Sequence, residues 1–167
     1  MSNSSIQVLA LQPPDTPYSI RPVDIQDLHT LHLNFWQERT IDQCRTYLKR
    51  VLNASQKERG LGIVVLDGET IVAYGQVLSL TRCMEISDLF VQPSHRSQGI
   101  GTAMIQYLCT SMLKLSALPI QIGVALSNPR ALALYKHLGF THKNYLELNL
   151  GDGIETVQYL EIIPDQQ

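Results

Sequence analysis

The segment that most constrains this chain is one in which a strand ends, a glycine-containing loop follows and a helix begins at once. It reads Val91-Gln92-Pro93-Ser94-His95-Arg96-Ser97-Gln98-Gly99-Ile100-Gly101-Thr102. The first turn of a helix has about four N–H groups without intrahelical partners and roughly half a positive charge. Glycines let a phosphate approach that backbone closely. The segment predicts a pyrophosphate cradle to which Arg96 adds a cation, with an ordinary tight turn as the alternative.

Two well-known phosphate cradles are excluded by the same residues. A P-loop needs a lysine directly after its second glycine, and none follows Gly101. A dinucleotide-binding fingerprint needs a third glycine, and that position is Met104. Any phosphate site here is therefore of another kind.

Hydrophobic periodicity and turn signals predict seven strands and four helices. A helix capped by Asp24 and a second helix over about 42–52 follow the first strand. A long helix begins at Ile100, and Asn128-Pro129 opens the last one. The strands are predicted at about 18–21, 61–66, 70–80, 83–91, 119–126, 145–150 and 155–162.

This element order predicts an α/β fold of the mixed, α+β kind. The strand–helix–strand unit at 83–126 implies one parallel pair with a right-handed crossover. Antiparallel strands precede and follow it. We therefore expect a central, mostly antiparallel sheet with one parallel pair and helices on both faces.

The chain of 167 residues is long enough for one domain with a sizeable core. Serines and prolines are concentrated before Tyr18. The predicted organisation is an N-terminal lead-in over 1–17, a domain over 18–163 and a C-terminal tail over 164–167.

Composition excludes several classes of function. The formal charge is −2, which lacks the positive footprint of a nucleic-acid binder. No apolar run approaches the length of a membrane span, and the N-terminus lacks the charged start of a secretory signal. Cys44, Cys83 and Cys109 are odd in number and far apart, which predicts reduced thiols, no metal site and a cytoplasmic location.

Three stretches in order resemble the GCN5-related N-acetyltransferases, the GNAT superfamily. The first is Ile20-Arg21-Pro22 with Asp27-Leu28. The second is Arg96-x-x-Gly99-x-Gly101 preceded by Leu89-Phe90-Val91-x-Pro93. The third is Asn128-Pro129-Arg130-Ala131-Leu132-Ala133-Leu134-Tyr135-Lys136-His137-Leu138-Gly139-Phe140. The spacing between them is similar to the order of elements in that superfamily from about Tyr18 to Ile163.

The resemblance implies an acetyl-CoA site, with acetyl-CoA as co-substrate. In this superfamily the two parallel strands splay apart and the pantetheine arm adds to the edge of the first. Backbone groups would bind that arm. Asn128 and Tyr135 would also contact the cofactor. The implied cofactor-binding residues are Leu89, Phe90, Val91, Arg96, Ser97, Gln98, Gly99, Ile100, Gly101, Thr102, Asn128 and Tyr135.

The resemblance also implies which residues would transfer protons. Glu85 lies where histone-type members carry a catalytic glutamate and is the first choice of base; a solvent-facing strand residue is the alternative. Asp88, expected on the opposite face of the strand, is the weaker candidate. Tyr135 is the candidate acid, or else only a core residue. A strand N–H such as that of Phe90 would stabilise the oxyanion.

The function implied is direct transfer of an acetyl group from acetyl-CoA to a primary amine. A non-catalytic acyl-CoA sensor or interaction domain is the alternative, because Gly123 stands where some members carry a glutamate. A nucleotide-binding domain with an unusual loop is a third hypothesis. Five carboxylates and no Lys or Arg follow Lys143, at Glu147, Asp152, Glu155, Glu161 and Asp165. They favour a cationic small-molecule or peptide acceptor, bound by a monomer or homodimer.

Overall fold

The structure is a computed structural model that describes residues 17–164. The predicted lead-in over 1–17, apart from its last residue, lies outside the described residues. So do residues 165–167 of the predicted tail, including Asp165. The predictions made for these residues stay predictions.

Seven strands and four helices follow one another in the predicted order. The helices are α1 (Leu28–Asn34), α2 (Ile41–Gln56), α3 (Ile100–Leu113) and α4 (Pro129–His137). The strands are β1 (Ser19–Pro22), β2 (Gly60–Asp67), β3 (Thr70–Ser79), β4 (Met84–Val91), β5 (Ile120–Ala125), β6 (Thr141–Asn149) and β7 (Ile154–Ile162). From residue 17 to residue 164, no helix is long and apolar enough to cross a bilayer.

All seven strands form a single sheet in the order β1-β2-β3-β4-β5-β7-β6. β4 and β5 are parallel, and α3 forms the crossover between them. Each other neighbouring pair in this sheet is antiparallel. The predicted fold class, a mostly antiparallel sheet with one parallel pair, is confirmed.

The sheet lies between two helical layers, which confirms helices on both faces. On one face α1 and α2 bury Leu31, Leu48 and Val51 against Val64 and Tyr74. On the other face α3 and α4 pack against the strands from β2 to β7, with the largest buried cluster of the domain between them. The inner face of α3 is apolar at helical spacing, as the sequence indicated, because those side chains are the ones that reach the sheet.

Strand β6 begins four residues earlier than predicted. Its first four residues, Thr141-His142-Lys143-Asn144, are polar and show no alternation. β6 is the outermost strand of the sheet and is exposed on both faces for most of its length. A two-sided exposed strand needs no apolar face, so the alternation on which the prediction depended is missing.

An ion pair between the half-exposed Arg21 and the buried Asp27 joins β1 to the turn before α1. The guanidinium of Arg21 donates from Nη1 to Oδ2 and from Nη2 to Oδ1 of Asp27, both at 2.8 Å. The backbone N–H of Asp24 also donates to Asp27, at 2.8 Å. Burial opposes the ionisation of Asp27, but these three donors outweigh it and lower its pKa.

We predict that Asp27→Asn lowers the free energy of unfolding at pH 7 by about 2 kcal/mol, because two charge-assisted bonds are lost. A carboxylate with a lowered folded-state pKa stabilises the fold above its unfolded pKa and loses that effect as pH falls through the folded value. The difference between variant and wild type should therefore shrink below about pH 4. Urea denaturation across pH measures it. The control is Asp42→Asn, an exposed partner of Arg45 that should cost under about 0.5 kcal/mol. Equal losses in both variants would contradict the prediction.

Candidate active site

The parallel strands β4 and β5 separate soon after they begin to pair. Only three pairs join them: Met84 with Ile120, Glu85 with Gln121, and Ile86 with Ile122. Beyond this point β5 pairs with β7 alone, and β4 pairs with β3 alone. Within the described part of the chain, no strand pairs with the second edge of β4 beyond Ile86. This fork is the predicted splay, and its open edge can accept an extended ligand as an added strand.

A β-bulge lies on β4 at the fork. Gln76 pairs with Ser87 and Tyr74 pairs with Phe90, so Gly75 alone lies opposite both Asp88 and Leu89. Asp88 has a φ of 52°, in the left-handed region. A bulge leaves one residue of the longer strand unpaired and turns its side chain. Simple alternation along β4 therefore does not give the direction of Asp88.

A cavity of about 550 Å³ opens at the start of α3. Gly99 is the N-cap residue of α3, with a φ of 82°, and Ser97 precedes it with a φ of 66°. These left-handed residues turn the chain sharply from the loop into the helix. The lining residues are Val91, His95, Arg96, Ser97, Gly99, Ile100, Gly101, Thr102, Asn128, Arg130, Ala131 and Leu134.

The geometry of Gly101 fits a group that approaches the backbone closely. A Cβ atom placed on Gly101 would meet only Cδ2 of Leu134, at 4.0 Å. The glycine is therefore not required by packing within the protein, and a side chain there would extend into open space at the helix N-terminus. This is the space in which an anion would contact the first N–H groups of α3.

Two arginines supply positive charge to the cavity. The Nε of Arg96 donates to the carbonyl of Val91 at 3.1 Å, and its guanidinium lies 6.0 Å from the centre of the Phe90 ring. The guanidinium of Arg130, from α4, donates to the hydroxyl of Ser97 at 2.7 Å. Arg96 was expected here. Arg130 joins it because it lies in the first turn of α4, whose start lines the same cavity.

Gln98 supports the loop instead of lining the cavity. Its amide donates to the carbonyl of Ser94 at 3.3 Å, and its Oε1 accepts from the hydroxyl of Tyr18. His95 is held in a similar way, with Nε2 lying 3.2 Å from Oδ2 of Asp67. These bonds tie the loop to the β2–β3 turn and to the residue before β1.

Glu85 belongs to the middle of the three β4–β5 pairs, one residue before the last pair at the fork. It is partly buried, and its register partner is Gln121 on β5. The hydroxyl of Tyr159, on β7, donates to Oε1 of Glu85 at 3.4 Å. Gln121 donates to Glu161 at 3.1 Å, and Lys143 pairs with the same carboxylate at 2.8 Å. Glu85 thus faces other side chains of the sheet and is not a fully solvent-facing strand residue.

Asp88 was predicted on the opposite face of β4 from Glu85, and this is wrong. The bulge turns it toward α2, where the hydroxyl of Tyr47 donates to its carboxylate. Tyr47 in turn accepts from the amide of Gln76 at 2.7 Å, and that amide also donates to Ser87 at 3.1 Å. Burial first, and then the Asp88 hydrogen bond, raise the pKa of Tyr47, so it remains a donor.

A second cavity, of about 470 Å³, lies between the α1–α2 connection and β4. Asp88 and Phe90 of β4 form one side of it. Phe35 packs edge-to-face on Phe90 with ring centres 5.0 Å apart, and Trp36 packs on Tyr47 at 5.3 Å. The cavity thus places a carboxylate among aromatic rings. Its lining residues are Asn34, Phe35, Trp36, Gln37, Glu38, Arg39, Asp88 and Phe90.

The sequence profile of the Acetyltransferase (GNAT) family matches residues 25–140, more than half of the chain. This chain belongs to the GNAT acetyltransferase family. The suspected resemblance is confirmed, and the glycine loop, the fork and α4 all fall within the matched range.

Two curated relatives are matched over only part of their own length. Human "Cysteine-rich protein 2-binding protein" is 29% identical over 139 residues, covering 80% of this chain and 16% of that protein. The Escherichia coli K12 "[Ribosomal protein bS18]-alanine N-acetyltransferase" is 29% identical over 109 residues, covering 63% of this chain and 64% of that protein. The chain thus spans less than two thirds of the length of either relative.

Solved structures share the GNAT fold at low sequence identity. The ribosomal L7/L12 α-N-protein acetyltransferase RimL, in complex with coenzyme A, matches with a TM-score of 0.79 at 14% identity, over 93% of this chain and 98% of that one. A Vibrio cholerae spermidine N-acetyltransferase SpeG chimera matches with a TM-score of 0.76 at 18% identity, over 89% and 96%. At such identities the likeness shows the fold alone.

Asn128 and Tyr135, both expected to contact the cofactor, lie in different surroundings. Asn128 lines the cradle cavity, and its Oδ1 accepts from the N–H of Ala131 at 3.1 Å as the N-cap of α4. Tyr135 is 9% exposed and packs against Phe140 within the core. Burial raises its pKa, which keeps it protonated at neutral pH. Its part as proton donor stays a prediction, because Tyr135 does not line the cavity.

None of the cysteines is placed as a nucleophile. Cys44, Cys83 and Cys109 are all buried free thiols. Burial raises the pKa of each thiol, to about 12 for Cys109. A thiol with a raised pKa is protonated at neutral pH and is a poor nucleophile.

Sequence reasoning missed the tyrosines that hold the two carboxylates. Tyr47 and Tyr159 lie 41 and 74 residues from their partners Asp88 and Glu85. No local pattern connects residues so far apart. A signal did exist for Arg130, because it lies within the Asn128 to Phe140 motif at the start of α4.

Proposed function

We propose that this chain transfers an acetyl group from acetyl-CoA directly to a primary amine within a ternary complex. One observation carries the proposal. A cradle for phosphate groups, an open strand edge and the Glu85 carboxylate occur together where β4 separates from β5. The pyrophosphate of coenzyme A would lie on the first N–H groups of α3, beside Arg96 and Arg130. The extended pantetheine arm would lie along the free edge of β4.

Gly101→Val should abolish binding of coenzyme A while leaving the fold intact, because its side chain would fill space that the protein itself does not use. Arg96→Ala should weaken binding by about 1.5–3 kcal/mol, the usual contribution of a charge-assisted hydrogen bond. Calorimetry measures the affinities, and thermal melting checks the fold. Gly99→Val is a less clean test, because Gly99 has a φ of 82°.

The matched control for the cradle is Ala133→Val, which adds a similar side chain at an exposed position of α4 outside the cavity. It should bind coenzyme A with wild-type affinity. Unchanged affinity in Gly101→Val and Arg96→Ala would place the cofactor elsewhere. ATP binding in preference to coenzyme A would favour the nucleotide-binding hypothesis.

Transfer to an amine has three chemical requirements, and we propose one residue of this chain for each of them. An alkylammonium ion has no free lone pair, so a base must take its proton before it attacks. Glu85, partly buried beside the fork, is the proposed base. A backbone N–H of β4, for which Phe90 is the sequence-based choice, would stabilise the developing oxyanion. Tyr135 is the proposed donor to the leaving thiolate.

Glu85→Gln should lower the rate of acetyl transfer by about 10²–10⁴ at neutral pH, because the amide cannot accept the proton. Steady-state assays over a panel of amines measure it, and coenzyme A affinity should stay unchanged. Glu69→Gln, at an exposed turn, is the control. Full activity of Glu85→Gln at every pH would exclude it as the base. Coenzyme A binding by the wild type without transfer to any amine would favour the non-catalytic sensor.

A cationic acceptor is the proposed substrate class, although the residues that support it differ from those expected. Of the C-terminal carboxylates, Glu161 is paired with Lys143, and Glu147 and Glu155 accept from Thr156 and Ser127. The stronger support is the cavity in which Asp88 lies among aromatic rings. Carboxylates and aromatic faces both attract ammonium groups.

Asp88→Asn should raise the KM for a cationic amine by about tenfold, because the carboxylate that would pair with the ammonium group is removed. It should change the KM for acetyl-CoA little. For the wild type, kcat/KM should fall as ionic strength rises, because the Debye length shortens from about 30 Å at 0.01 M to about 8 Å at 0.15 M. Asp152→Asn, in the exposed β6–β7 turn, is the matched control. A salt-independent kcat/KM or a preferred anionic acceptor would contradict the proposal.

A further inference from the structure

Gly123 leaves a space on β5 that a ring from the next strand fills. Gly123 pairs with Tyr159 of β7, one residue beyond the last β4–β5 pair. A Cβ atom on Gly123 would lie 3.1 Å from Cζ of Tyr159 and 3.2 Å from Cγ1 of Val157. These are tighter than ordinary contacts, so the ring lies directly over the glycine. The absence of a side chain at 123 thus allows the Tyr159 ring to lie at the mouth of the fork.

From this position the Tyr159 hydroxyl reaches across β5 to β4. It donates to Oε1 of Glu85 at 3.4 Å, which is long for an O–H···O bond. Hydrogen bonds at catalytic groups are often long before substrate binds. Burial, followed by the charge of Glu85, raises the pKa of Tyr159. The phenol therefore keeps its proton over the neutral range and remains a donor.

We propose that Tyr159, seated over Gly123, is a positioning residue that holds the Glu85 carboxylate at the fork. This inference rests on the proposed function, in which Glu85 takes the proton of the acceptor amine. A glycine at position 123, where some GNAT members carry a glutamate, favoured a non-catalytic function. In this inference the same glycine makes room for the Tyr159 ring. The side chain absent from β5 is replaced by a hydroxyl that reaches over from β7.

The electrostatic surroundings of Glu85 predict a pH effect. The thiol of Cys83 and the Tyr159 phenol interact with its charge. Glu161 and Lys143 also lie nearby, but they form a pair at 2.8 Å and largely offset each other. A hydrogen bond donated to a carboxylate favours its charged form. Removal of the hydroxyl should therefore change the pH dependence of a step in which Glu85 takes a proton.

The test is Tyr159→Phe, which removes the hydroxyl and keeps the ring over Gly123. The acid limb of the kcat/KM profile for the amine should move up by about 0.5–1 pH unit. On the acid side, kcat should fall roughly tenfold, while the KM for acetyl-CoA is unchanged. The matched control is Tyr145→Phe, an exposed tyrosine of β6, which should leave the profile unchanged.

A second readout does not depend on turnover. The pH titration of the Glu85 side-chain carboxyl, followed by ¹³C NMR and assigned with Glu85→Gln, should differ between Tyr159→Phe and the wild type. The Cβ atom added by Gly123→Ala should displace the Tyr159 ring. Alone, this variant should therefore alter the titration of Glu85. Combined with Tyr159→Phe, it should cause no change beyond that of Tyr159→Phe. If the wild type acetylates no amine, the proposed function fails, and the titration still decides the part played by Tyr159.

Two results would overturn the inference. The first is a Tyr159→Phe protein whose acid limb and Glu85 titration both match the wild type. The second is a Gly123→Ala change that shifts the titration equally with and without the Tyr159 hydroxyl, since Gly123 would then act by another route.

Discussion

The separation of β4 from β5 after three residue pairs is the constraint on which the rest of this site depends. Two parallel strands that paired along their whole length would satisfy every backbone group between them and leave no edge for a ligand. The separation begins beyond Ile86 and Ile122, where the bulge at Asp88 bends β4 and β5 keeps its pairing with β7. The opening is therefore stabilised from its two outer sides, by β3 and by β7.

Side chains from both outer sides hold the carboxylates beside this opening. Tyr47, from α2, donates to Asp88 and itself accepts a hydrogen bond from Gln76 of β3. Tyr159, from β7, reaches Glu85 from the other side. Each carboxylate thus has a phenol partner whose pKa is raised and which stays protonated. Partners of this kind fix the direction of a carboxylate while leaving it free to accept a proton.

Much of the fold could be predicted because its signals are local. The Asn128-Pro129 helix start and the apolar spacing of α3 each involve residues close in sequence. The start of β6 was predicted four residues late, because an exposed edge strand carries no apolar alternation. The side of Asp88 was wrong for a related reason. Alternation assumes a regular strand, and one extra residue in a bulge breaks it.

The sequence by itself determined the order of elements, the parallel pair and the glycine loop at the start of α3. The elements and the glycine loop follow from dihedral preferences and periodicity within a few residues, and the parallel pair follows from the strand–helix–strand order. Only the tertiary structure decided that Arg130 joins Arg96, that Tyr47 meets Asp88 and that Tyr159 lies over Gly123 to reach Glu85. These contacts join residues 33 to 74 positions apart. They depend on strand order and register, which are set by how the whole sheet buries its two faces.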